Sequence, residues 1–120
     1  TTVLPAEEKA LLDRCGGDVM FFRLKGPLSF GAAKGITDRM ALVQNYKILI
    51  LDITEVPRLG VTASLALEDM MLEAKNNAKK AFVAGANDKV KERLSKFGIE
   101  GVIVETRKEA LLSALDEINK

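Results

Sequence analysis

One run of residues constrains this chain more than any other. Ile48-Leu49-Ile50-Leu51 is continuously apolar and is closed by Asp52 and Ile53. A strand with one wet face alternates polar and apolar residues. A strand with no polar position is buried on both faces, as in the middle of a sheet covered by helices on each side. Pro57 and Gly60 break the chain after it. Thr62 or Ser64 is then placed to cap a helix whose apolar positions are Ala63, Ala66, Leu67, Met70 and Met71. A buried strand that enters a helix N-terminus through a short loop leaves backbone N–H groups and a hydroxyl at one exposed point. The segment Pro57, Arg58, Leu59, Gly60, Val61 and Thr62, with Ser64, is therefore the candidate regulatory loop.

The flanking sequence repeats the same alternation. Thr2-Val3-Leu4 reads as an edge strand stopped by Pro5, and Ala6 to Arg14 as a helix with Glu7 and Glu8 in its first turn and Gly16-Gly17 as its stop. Val19 to Leu24 reads as a strand, with Gly26-Pro27 as a turn and Leu28-Ser29-Phe30 as a short second piece. From Gly31 to about Gln44 the stripe Ala32, Ile36, Met40 and Val43 marks an amphipathic helix, closed by Asn45-Tyr46. Asn76-Asn77 ends the helix after the central loop, and Ala81 to Ala84 is a short buried strand. Gly85-Ala86-Asn87-Asp88 turns and caps a helix from Lys89 to Phe97, with Val90, Leu94 and Phe97 on one face and Gly98 as its stop. Val102-Ile103-Val104 is the last strand, and Thr106 with Glu109 makes a capping box. The final helix carries the stripe Ala110, Leu111, Ala114, Leu115 and Ile118. Strands alternating with helices imply an α/β fold, with a mainly parallel central sheet of about four to five strands and surrounding helices.

Composition removes whole classes of function. At 120 residues the chain makes one domain with a core of its own. It has no His and a single cysteine, Cys15, so intramolecular disulfides, zinc sites and His-based triads are excluded. With 18 basic against 17 acidic residues and no Trp, nothing favours nucleic acid as a partner. No stretch approaches the roughly 20 apolar residues of a membrane helix.

Motifs that carry chemistry are scarce. No GxGxxG follows a strand and no GxxxxGK[ST] occurs. Gly85 to Asp88 follows a strand and is either a ligand loop or a plain helix cap, the cap being favoured. Asp52, Glu55, Glu68 and Asp69 group around the central loop, but their spacing requires no metal. Cys15 is either a packed small hydrophobe or a free thiol, and packing is favoured because no Lys or His lies beside it. Thr62 and Ser64 are caps, or alternatively phosphate acceptors at a helix start.

The central stretch resembles the STAS domain, shared by bacterial anti-sigma-factor antagonists and the cytoplasmic tails of SulP-type anion permeases. The family's signature is an apolar strand ending in Asp, a Val-Pro-like turn, an apolar residue, Asp-Ser/Thr-Ser/Thr-Gly and a helix. Ile48 to Ile53, Val56-Pro57 and Leu59 follow it. Ala66-Leu67-Glu68-Asp69 is similar to the Ala-Leu-Glu-Glu of the permease branch, and Leu24 to Ala33 resembles that branch's Gly-Pro-Leu-Phe-Phe-Ala-Asn-Ala segment. The resemblance runs from about Val19 to Ile118 and is closest to bicarbonate transporters of the cyanobacterial, BicA type. Aligned on Val56-Pro57, the family's Asp falls on Gly60, its first hydroxyl residue on Val61, its second on Thr62 and its Gly on Ala63. Only Thr62 can therefore inherit the phosphorylated position of the antagonists.

The resemblance implies a non-enzymatic regulatory and dimerisation domain of a sodium-coupled bicarbonate transporter, at the cytoplasmic face of the membrane. Its partners would be the transporter's membrane domain and a second copy, and no nucleic acid. The start at Thr1-Thr2, without Met, fits a C-terminal piece of such a protein. The alternative is a free-standing antagonist switched by phosphorylation at Thr62. No cofactor is expected beyond weak nucleotide binding at the strand ends.

Overall fold

The alternation of hydrophobic periods builds one parallel sheet with helices on both faces. The computed structural model describes residues 4–27, 30–43, 45–96 and 103–120, and of Phe30 only the backbone. Helix α1 spans Ala6–Cys15, and a single 3₁₀ turn, Gly16–Asp18, leads into β1, Val19–Lys25. Then follow α2 (Phe30–Leu42), β2 (Ile48–Glu55), α3 (Val61–Asn76) and β3 (Lys80–Ala84). Helix α4 (Asp88–Lys96), β4 (Ile103–Val104) and α5 (Arg107–Ile118) complete the chain.

The four strands lie in the order β1-β2-β3-β4, all parallel. Val19 pairs with Ile48 and Arg23 with Asp52, while Ile48 pairs with Lys80 and Asp52 with Ala84. Strand β2 is thus internal, and Ile48 through Ile53 are all buried, as the apolar run requires. Successive right-handed crossovers between neighbouring parallel strands place α2, α3 and α4 on one face. That face holds the larger core, in which Leu49, Leu51 and Ile53 meet Ile36, Met40, Leu67, Met70, Val90 and Leu94. Helices α1 and α5 cover the other face, where Ile48 and Ile50 meet Leu11, Cys15, Ala110, Leu111 and Ala114. At about 25 cal/mol per Å² of apolar surface, these two cores are the main stabilising term.

Several expected boundaries shift by a residue or two, and one stripe is corrected. In α2 the buried residue is Ala33, not Ala32, because the face that meets β2 runs through Ala33, Ile36 and Met40. Phe30 begins α2 instead of ending a strand, and Leu4 precedes α1 outside any strand. The expectations for Thr2, Val3, Leu28, Ser29, Phe97, Gly98 and Val102 lie outside the described residues. Cys15 is 2% exposed and packed, and its thiol pKa is raised by burial and by nearby Asp18.

Candidate functional site

The β2–α3 loop is anchored from below and open above. Val56 and Leu59 are buried in the larger core, while Pro57, Arg58 and Gly60 face outward. Apolar residues three apart thus hold the loop down and present what lies between them. Asn87 straps it from the side: its Nδ2 donates to the Pro57 carbonyl at 3.0 Å, while its Oδ1 accepts from Val90 N at 2.8 Å. Asn87 is therefore the α4 cap expected from the Gly85–Asp88 turn, and it also fixes α4 against the loop.

The helix cap differs from expectation. The N-cap of α3 is Gly60, with extended backbone, and it supplies no side-chain cap. Ser64 is fully buried, and its hydroxyl donates to the Gly60 carbonyl at 2.8 Å, within the first turn. Ser64 is close-packed against the core, so it turns inward and bonds four residues back. Thr62 sits in the exposed first turn, as does Val61, which is 56% exposed. Of the proposed loop residues, Pro57, Arg58, Gly60, Val61 and Thr62 reach the surface, while Leu59 and Ser64 do not.

Beside the loop lies an open groove of about 400 Å³, lined by Pro27, Arg58, Leu59, Gly60, Lys89 and Arg93. Its three charged side chains are all cations, and among the described residues none of the three forms an ion pair.

On the opposite face, the same edge of the sheet holds a closed charge cluster. Asp52 is 0% exposed and points towards α1 and α5. Its Oδ1 accepts from Thr54 N at 3.1 Å and Thr54 Oγ1 at 2.5 Å. Its Oδ2 accepts from Arg107 Nη1 at 2.9 Å and lies 3.6 Å from Arg23 Nε. Arg107 Nε also donates to Glu8, and Arg23 Nη2 lies 3.3 Å from Glu55 Oε2. The bond to Glu8, followed by that to Asp52, holds the Arg107 pKa above its ordinary value. Gly85 closes the cluster from just past β3, with φ +80°. A Cβ there would lie 2.1 Å from Thr54 Oγ1, so the close approach requires glycine.

The sequence groups Asp52 with Glu55, Glu68 and Asp69. The structure joins only the first two, through Arg23, while Asp69 is exposed on α3. Arg23, Arg107 and Glu8 are cluster members that the sequence reading misses. The available signal is an Asp ending an apolar strand, with Arg at the matching position of β1. Among the described residues no group of acidic residues and cysteine is arranged to hold a metal, and no helix is long and apolar enough to cross a membrane.

Three comparisons bear on identity. A family model described as the STAS domain matches residues 12–113. Over 118 residues the chain is 38% identical to the bicarbonate transporter BicA of Synechocystis sp., covering 94% of this chain and 21% of that protein. It is 40% identical over 94 residues to BicA of Picosynechococcus sp., covering 78% of this chain and 17% of the relative. The chain thus spans about a fifth of the length of these relatives. Among solved structures, it is similar to the SulP transporter STAS domain of Vibrio cholerae, with TM-score 0.83 and 30% identity. That likeness covers 96% of this chain and 98% of the other.

Proposed function

The chain belongs to the STAS-domain family, and on that premise we propose that it is the cytoplasmic regulatory and dimerisation domain of a sodium-coupled bicarbonate transporter of the SulP type. The observation that carries this reading is the 38% identity to a bicarbonate transporter along nearly the whole chain. The work is done by surfaces and not by a reaction, in keeping with a sequence that has no His.

Two features support a partner. Val61, Leu65 and Leu72 are 56%, 46% and 52% exposed, and their spacing puts them on one face of α3. That apolar stripe is the face offered to the membrane domain or to a second copy. It begins at Thr62's turn, so the loop from Pro57 to Ser64 joins the docking face to the middle strand of the sheet. A phosphate on Thr62 would sit at the positive end of α3 and add close to two negative charges beside the stripe.

The test is a chimera of the Synechocystis transporter in which this chain replaces the matching segment. Bicarbonate uptake retained by the chimera, and lost when the segment is simply deleted, is the expected result. A chimera that reaches the membrane but takes up no bicarbonate contradicts the assignment.

A further inference from the structure

We propose that the groove walled by Arg58, Lys89 and Arg93 is a binding site for a multiply charged phosphate anion of the pyrophosphate class. Many cations elsewhere on the described surface lie beside a carboxylate: Arg23, Lys34, Lys80, Lys91, Lys108 and Lys120 each have one within 4 Å. Arg58, Lys89 and Arg93 are set apart by lining a single cavity of about 400 Å³, with no carboxylate among its described lining residues. Like charges brought together repel, and no carboxylate among the described lining residues offsets that repulsion.

The groove is also held in shape. Leu59 forms a buried floor, and the Asn87 strap fixes the Arg58 loop against the start of α4. Lys89 and Arg93 are four apart on α4 and share one side of that helix. Guanidinium forks match phosphate oxygens two at a time, while the lysine supplies a mobile point charge. Gly60, which precedes the first turn of α3, lines the same cavity, so the positive end of that helix adds to the field. Three cations call for more than one negative charge, and the cavity is larger than a single halide needs. No aromatic ring is among the described lining residues, so recognition stops at the phosphates and a nucleoside would add nothing. The site goes beyond the transport reading, because it stands or falls whichever anion a transporter carries.

Calorimetric titration of the 120-residue chain with inorganic pyrophosphate at low salt tests it. The expected result is saturable binding that R58Q/R93Q weakens by about tenfold or more. R58Q/K89Q, which leaves the half-buried Arg93 in place, should weaken it too. K9Q, which removes a charge from exposed α1, should leave it unchanged. No saturable binding, wild-type affinity in both double variants, or an equal loss in K9Q overturns the proposal. Phosphatidylcholine vesicles with and without phosphatidic acid identify the source of the phosphate. Sedimentation with the acidic vesicles, reversed by pyrophosphate, marks a lipid headgroup; pyrophosphate binding without sedimentation marks a soluble anion.

Discussion

Along its carboxyl edge, the sheet carries charge on both faces and treats it in opposite ways. Under α1 and α5, Asp52 is buried and its oxygens are taken up by Thr54, Arg107 and Arg23. Over α3 and α4, Arg58, Lys89 and Arg93 line an open groove in which no acid among the described residues answers them. A buried charge must be satisfied within the fold, because leaving it unpaired in a low-dielectric interior costs several kcal/mol. An exposed charge carries no such requirement and remains available to a ligand. The first cluster therefore ties α1 and α5 to the middle of the sheet, and the second has capacity left for binding.

Breaking the closed cluster should have the largest effect. Asp52→Ala leaves Arg107 with Glu8 alone and Arg23 with Glu55 alone, and should destabilise the fold by about 3 kcal/mol, read from urea denaturation. A loss below about 1 kcal/mol would mean that the cluster is no more structural than a surface pair. Gly85→Ala reaches the same cluster from the turn after β3. The positive φ and the contact with Thr54 should together cost about 2 kcal/mol, with Thr54→Ser relieving little of it because the Oγ1 contact remains.

Thr106→Ala removes the α5 cap, in which Thr106 Oγ1 accepts from Glu109 N at 3.0 Å, next to Arg107. Its expected cost is about 1 kcal/mol by the same denaturation. Arg58→Gln, on the open side, should change stability by less than about 0.5 kcal/mol. A larger loss there would erase the distinction between the faces.

The smallest effect lies at the opposite edge of the sheet. Lys80 first, and then Lys120, holds the Glu117 carboxyl below its ordinary pKa. A folded-state pKa that is depressed gives stability present above the unfolded value and lost as pH falls through the folded one. NMR titration should therefore show Glu117 titrating lower in the wild type than in K80Q. Equal midpoints would show that Lys80 makes no effective bond.

How much of this is legible in the sequence depends on the range of the interaction. The apolar run at Ile48 announces a strand covered on both sides, and Thr106-x-x-Glu109 and Asn87 announce their caps, because strands and caps are written within a few residues. The cap of α3 is where the sequence misleads, pointing to Thr62 or Ser64. A hydroxyl near a helix start looks the same whether it caps or, like Ser64, packs inward and bonds the previous turn. The Arg107 and Glu8 side of the Asp52 cluster is hidden for a different reason. Asp52 and Arg107 are 55 residues apart, and Glu8 and Arg107 are 99 apart. Only the parallel register and the stacking of α1 beside α5 bring them together. The groove likewise needs the Asn87 strap, which joins loops 30 residues apart.

The contrast between closed and open charge is tested most directly by one set of urea denaturation curves. Wild type and R58Q/R93Q are unfolded with and without pyrophosphate at about 100 times its Kd. Equal midpoints without pyrophosphate, and on its addition a gain of about 2.7 kcal/mol in the wild type against no more than about 1.4 kcal/mol in the tenfold weaker variant, are the expected results. A double variant that is already unstable without ligand, or a gain that is the same in both proteins or absent from both, would contradict the division between a structural cluster and a binding groove.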